Sequence, residues 1–327
     1  MPPFKDFPKI ELHLHLNGSI SETTLQNLAH HCNVLGQEFN LPTGRTLSDC
    51  FVVFDAIHKV SLNPSAARRI AKEAVECAAL DNVIYLELRT TSHSTNQMSA
   101  YDYLNAVVDG INSAEHRPHF VTLILALDRG KVIPDIDDWF SLLSSINNAH
   151  NNIIRGIDIA GNPTKGHTSQ FAPFIRRAKD IGLKTTIHFA EIDILEDINA
   201  TMELSPDRLG HAVLAGKKAI EHQIPVEVCL TSNLITESAT LGNHPVIDFF
   251  QQGHLFSICT DDCGVFKTNF TDEYEKVFTL LNCDLEKFID IVRNSIQMTF
   301  LTQKEKTELL QIFDAKISAF LNKFSKN

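Results

Sequence analysis

No apolar run in the chain approaches the roughly 18–20 residues that cross a bilayer; the stretch from Val121 to Leu127 is among the longest and is already broken by Thr122. The segment Met1 to His15 is not expected to be a secretory leader, because Lys5, Asp6, Lys9 and Glu11 interrupt it where a signal peptide needs a continuous apolar core. A cytoplasmic protein without a membrane partner is the expectation. Positive charge is scarce. The 29 Lys and Arg stand against 40 Asp and Glu, a net charge of −11, which disfavours a nucleic acid polymer or an anionic membrane as partner but allows one phosphate in a locally basic pocket. The seven cysteines include no CxxC pair, so reduced thiols fit better than a disulfide framework. Neither GxGxxG nor GxxxxGK[ST] occurs, which removes the usual phosphate cradles of doubly wound sheets. At 43% apolar and 21% charged residues, the chain has the composition of a globular protein.

What is present is alternation. Eight short apolar segments each end beside a polar residue: Ile10 to Leu16, Val83 to Arg89, Phe120 to Asp128, Ile153 to Gly161, Leu183 to Glu191, Arg208 to Ala212, Pro225 to Ser232 and Leu255 to Asp262. The stretches between them are long enough for helices and place apolar residues three and four apart, as at Phe51, Phe54 and Ile57. Strand and helix therefore alternate around a parallel sheet. Eight such units suggest a (β/α)8 TIM barrel, with its site at the C-terminal strand ends; a doubly wound sheet is the rival. The long interval from Asn17 to Asn82 predicts extra helices inserted after the first strand, over the barrel mouth. Two S/T-x-x-E boxes, Ser19 to Glu22 and Thr302 to Glu305, predict helix starts. With no linker or repeat, residues 1–327 read as a single domain.

The segment Glu11-Leu12-His13-Leu14-His15-Leu16-Asn17-Gly18 holds two histidines two apart. On a strand such side chains point the same way, so both imidazoles can meet one metal if that face is the barrel interior; two exposed histidines on an edge strand is the other reading. His188 and Glu191 close the fifth segment, His211 the sixth, and Asp261 and Asp262 the eighth. Zinc prefers imidazole nitrogen and carboxylate oxygen and keeps an open position in catalytic sites. His13, His15, His188 and Asp261 thus form a candidate N3O ligand set.

The HxH at His13 and His15, HxxE at His188 to Glu191, Gly210-His211 and Thr260-Asp261-Asp262, in this order, resemble the adenosine and AMP deaminase branch of the metal-dependent amidohydrolases. Within that branch, His15-Leu16-Asn17-Gly18-Ser19-Ile20-Ser21, Tyr85-Leu86-Glu87-Leu88-Arg89-Thr90 and Cys229-Leu230-Thr231-Ser232-Asn233 are similar to the adenosine deaminase-like group that acts on N6-methyl-AMP. The resemblance runs from about Pro8 to beyond Asp262. It implies one Zn2+ per chain on His13, His15, His188 and Asp261, with Glu191 protonating the purine ring and His211 and Asp262 orienting and deprotonating the attacking water. The implied reaction is hydrolysis of N6-methyl-AMP, or a related N6-substituted nucleoside monophosphate, to IMP and an alkylamine. A neutral Glu191 then needs a raised pKa in a buried site. Binuclear amidohydrolases use a modified lysine at the end of strand four, whereas Gly156 to Gly161 contains none, in keeping with one metal ion. The PCxxC of the cytidine-type zinc deaminases is absent.

The same resemblance implies substrate contacts from His15, Asn17, His58, Arg89, Thr90, Thr91, Ser92, Asp128, Gly161, Glu191 and Asp262. Adenosine deaminases read HLDG where this chain reads His15-Leu16-Asn17-Gly18; an amide can donate to a 5′-phosphate that a carboxylate would repel. Arg89, with Thr90 and Thr91, offers a guanidinium and hydroxyls to that phosphate, although the related R-S-T-P reads Arg89-Thr90-Thr91-Ser92 here. Gly161 would meet the purine through its main chain. A monomer is expected. A deaminase of free adenosine and a catalytically silent nucleotide-binding protein are the alternatives.

Overall fold

Each of the eight apolar segments marks a strand, with β1 starting one residue earlier and β2 ending two residues later than the segment: β1 (Lys9–His15), β2 (Val83–Thr91), β3 (Phe120–Asp128), β4 (Ile154–Ala160), β5 (Lys184–Phe189), β6 (Arg208–His211), β7 (Val226–Val228) and β8 (Phe256–Ile258). The computed structural model describes residues 2–31, 47–61, 63–96 and 98–324. Neighbouring strands pair in parallel in the order β1 to β8. Just beyond β8, Asp261 closes the ring: its N–H donates to the His13 carbonyl (2.9 Å), and its own carbonyl accepts from His15 N–H (3.1 Å). The result is the expected (β/α)8 barrel.

Strand alternation decides which residues face the axis. On β1, Ile10, Leu12 and Leu14 join the apolar clusters between sheet and helices, which leaves Glu11, His13 and His15 on the inner face. Leu86 and Leu88 on β2 likewise pack outward and turn Glu87 and Arg89 inward. Barrel interiors are usually filled by branched apolar side chains. This one instead holds charges, which burial makes costly unless they are paired. They are paired: Arg208 binds Glu87, and its Nε lies 2.7 Å from Glu227.

Between β1 and β2 the inserted helices Glu22–His31, Leu47–Val60 and Pro64–Leu80 are present. The third starts with Pro64 in its first turn and Asn63 as cap, whose side chain accepts from Ala66 N–H at 2.9 Å. The cap expected at Ser19 is corrected. Asn17–Ser19 is a 3-10 turn that engages the Ser19 hydroxyl with Leu16 O (2.7 Å), so Ser21, two residues later, caps the helix by accepting from Thr24 N–H (3.2 Å). The Thr302–Glu305 box forms as expected at the start of Gln303–Phe324. Among the described residues no helix is long and apolar enough to cross a membrane.

Candidate active site

His13, His15, His188 and Asp261 each bring one donor atom to within 4.8 Å of the other three. The Nε2 atoms of His15 and His188 are 3.1 Å apart, and each of His13 and His15 places Nε2 3.4 Å from Asp261 Oδ1. Two imidazole nitrogens at that distance, with a carboxylate beside them, form a donor set that could hold a metal ion. His13 Nε2 is buried and makes no hydrogen bond, because Nδ1 is committed to Glu227 Oε2 at 2.5 Å. That leaves an inward lone pair without a partner, which fits a metal ligand. Burial holds His15 well below the usual histidine range, so its ring is neutral, as ligation requires. Cys229 also approaches His13, His211 and Asp261, but burial pushes its thiol well above the usual range, which disfavours the thiolate that would bind.

The two histidines that pass their far nitrogen to a carboxylate share one cation. His188 Nδ1 lies 3.2 Å from Asp158 Oδ1. Arg89 donates from Nη1 to Asp158 Oδ2 (3.0 Å) and from Nη2 to Glu227 Oε2 (2.8 Å) and Leu12 O (2.6 Å). Against the cost of burial, Arg89 and Arg208 hold Glu227 well below its usual pKa. Arg89 was expected to read phosphate, and its side chain is 0% exposed. The structure instead engages Nη1 and Nη2 inside the barrel; Nε is buried without a partner, and Arg89 reaches the cavity only at its floor, among the lining residues.

Glu191, His211 and Asp262 gather beside the metal-ligand set. His211 accepts at Nδ1 from Asn233 Nδ2 (3.1 Å), so Nε2 carries the hydrogen, 3.9 Å from both Glu191 Oε1 and Asp261 Oδ2; burial lowers the ring to about 3. Burial raises Glu191. Burial, and then the neighbouring Asp261 charge, push Asp262 well above the usual range. Such shifts suit groups that hold and move protons near neutrality. Ala190, His211, Ala212 and Asp261 all have φ between 52° and 64°, a left-handed conformation costing about 1–2 kcal/mol per residue. The strain falls where strands end and side chains must be aimed into the mouth. Gly18 completes the packing, since a Cβ there would lie 1.6 Å from Asp262 Oδ1.

A cavity of about 190 Å³ opens at these strand ends, where one water needs roughly 10–15 Å³. His15, Asn17, His58, Thr90, Thr91, Asp128, Gly161, His188, Glu191, His211, Asp261 and Asp262 line it; Ser92 does not. Ser92 stands beyond the end of β2, outside the wall formed by Thr90 and Thr91. Gly161 has φ +97°, and a side chain there would strike Asp128 Oδ1 at 2.2 Å, so its main chain is the exposed surface. Cys50, Phe54 and His58 from helix Leu47–Val60 roof the opening. Sequence reasoning missed Asp158, Glu227 and Asn233, which orient histidines, and Lys131 and Lys165, which line the mouth. A lone Glu inside Val226-Glu227-Val228 was the available signal for one of them.

The family model described as adenosine deaminase matches residues 8–316. The N6-mAMP deaminase of Arabidopsis thaliana is 33% identical, over 95% of this chain and 97% of its own length, and the N6-methyl-AMP deaminase of Mus musculus 32% identical, over 94% and 91%. The crystal structure of Arabidopsis ADAL complexed with IMP superposes with a TM-score of 0.89 at 33% identity, covering 96% of this chain and 98% of that one.

Proposed function

The chain belongs to the adenosine deaminase family, and from that premise we propose that it is a zinc-dependent enzyme hydrolysing N6-methyl-AMP to IMP and methylamine. The observation that supports this most is the meeting of His13, His15, His188 and Asp261 beside a carboxyl raised by burial, Glu191, in one cavity. A Zn2+ held by those four residues supplies a Lewis acid that brings the pKa of water to about 7.

The rest falls to the chain's own groups. Glu191, kept protonated by burial, donates its proton to purine N1 and draws electron density from C6. The Nε2–H of His211 orients the attacking water, and Asp262 takes its proton as the oxygen bonds to C6. The tetrahedral carbon then collapses: the C6–N6 bond breaks, Asp262 returns the proton to the departing amine, and methylamine leaves. N1 keeps the proton from Glu191 in IMP, the remaining proton of the C6 hydroxyl returns Glu191 to its acid form as the carbonyl forms, and one water is consumed. Asp158 and Glu227 hold the rings of His188 and His13, and the Leu47–Val60 helix limits water entry from above.

The nucleotide, rather than the nucleoside, is favoured by Asn17 in place of a carboxylate and by the IMP complex of the Arabidopsis homologue. The reading takes residues 1–327 as a single domain acting as a monomer. The test is amine release by zinc-loaded protein from N6-methyl-AMP, AMP, N6-methyladenosine and adenosine. Preference for N6-methyl-AMP, lost on chelation and restored by Zn2+, is expected; equal or better use of adenosine overturns the substrate, and turnover surviving chelation overturns the metal.

A further inference from the structure

The cavity is charged differently at its two ends. Glu191, Asp261 and Asp262 crowd the end where the histidines meet, and an anionic group placed there would be repelled. Among the described residues, the Lys and Arg side chains lining the cavity are those of Arg89, Lys131 and Lys165. Arg89 commits Nη1 and Nη2 to Asp158, Glu227 and Leu12 O, and its side chain is 0% exposed. Lys131 and Lys165 are exposed, and among the described residues neither ammonium is paired with a carboxylate. Asp128, the acid nearest them in the wall, turns Oδ1 to Gly130 N–H at 2.8 Å.

The two lysines flank Gly130. The Lys165 stem comes within 3.6 Å of where a Cβ on Gly130 would stand. Lys131 lies near enough to His93 that its charge adds to burial and to His58 in lowering that ring to about 4. His93 in turn lies 3.1 Å from Thr91 Oγ1 and 3.4 Å from Asn17 Nδ2. The cavity wall thus combines the Asn17 amide and the Thr91 hydroxyl, both backed by His93, with two ammonium groups that have no carboxylate partner among the described residues. Such a set suits a compact dianion, which lysine binds as a point charge.

We propose that Lys131 and Lys165 form an anion-binding end of the cavity that holds the 5′-phosphate of a nucleoside monophosphate. The proposal rests on the nucleotide reading above and adds the residues that enforce it. The phosphate is drawn to the lysine end and the base is left facing Glu191, so the charge asymmetry also sets the substrate's direction.

The test uses zinc-loaded protein and its Lys131→Gln, Lys165→Gln, double and Lys131→Glu variants, with N6-methyl-AMP and N6-methyladenosine as paired substrates. Each neutralisation is expected to lower the nucleotide-to-nucleoside ratio of kcat/KM roughly tenfold, and charge reversal to lower it further. Calorimetric titration with IMP should show the same loss without turnover, and added salt should weaken IMP binding more in the parent than in the double variant. A double variant with the parent's ratio and IMP affinity overturns the proposal while leaving the nucleotide reading intact. A parent enzyme with no preference for the nucleotide overturns that reading first, and this proposal with it.

Discussion

Replacing Arg89 with methionine keeps much of the side-chain volume and removes a guanidinium that makes three buried hydrogen bonds. Glu227 retains Arg208 at 2.7 Å, Thr186 Oγ1 at 3.0 Å and His13 at 2.5 Å. Asp158 is left on His188 Nδ1 at 3.2 Å. Removing one partner of a buried ion pair typically costs about 3–5 kcal/mol, and most of that should fall on Asp158. Its relief is protonation or rotation, and either one releases the His188 ring. Loss of groups that orient metal ligands commonly reduces metal affinity about 10–100-fold, so the variant should show both lower stability and weaker zinc binding. Arg89→Lys keeps one charge without the fork that spans two carboxylates and should fall between parent and methionine variant. Chemical denaturation, zinc competition against a chelator of known affinity, and kcat/KM for nucleotide and nucleoside measure the three consequences. Both substrates should suffer alike, because the lesion is in the metal ligands. A variant with parental stability and zinc affinity but a selective loss on the nucleotide would refute the reasoning and return Arg89 to the phosphate.

Glu191→Gln should abolish turnover while zinc content stays at the parental level, since the amide cannot give N1 a proton; full activity in that variant would remove the role assigned to Glu191. Burial raises the Glu191 pKa, and the acid form is the active one, so kcat should fall as pH rises through that raised value; a kcat profile flat across that alkaline side would contradict it. Gly18→Ala sets a methyl where Asp262 Oδ1 now lies, 1.6 Å from it. The carboxylate must move by about 1.5 Å, a misplacement that can cost on the order of 10²-fold in rate, and because Asp262 Cβ would also lie 2.6 Å away the overpacking should lower the thermal midpoint as well. Parental kcat in Gly18→Ala would mean that Asp262 does not take the water's proton.

The barrel was legible because its outward face is written in alternation: Ile10, Leu12 and Leu14, or Leu123, Leu125 and Leu127, leave no other face for the sheet to bury. Strand ends were less legible. Pro225 to Ser232 reads as one extended run, yet β7 stops at Val228 and Leu230–Ile235 is helical, because the chain must turn at the mouth to bring Ser232 into the wall and Asn233 to His211. The histidines and aspartates at strand ends were found because spacing of two on a strand, and a polar residue at its close, are local signals. Lys131 and Lys165 follow β3 and β4 in loops, where lysine carries no periodicity, and only the barrel's closure brings them to one cavity.

Arg89 shows why depth is harder to read than facing. Glu87, Arg89 and Thr91 share the inner face of β2, and each step of two residues climbs about 6.6 Å toward the mouth. Alternation says that all three look inward but not which one first meets the cavity. That is set by register: Arg89 pairs with His15 on one side and Ile124 on the other, which places its guanidinium level with the carboxylates of β4 and β7 and leaves Thr91, one step higher, at the rim. A guanidinium at the rim would have been free to bind a phosphate; one step lower, among Asp158, Glu227 and the Leu12 carbonyl, it meets acceptors that would otherwise be buried without a cation. The same residue type therefore serves the metal ligands rather than the substrate, and the charge for an anionic substrate has to come from side chains that enter from the loops.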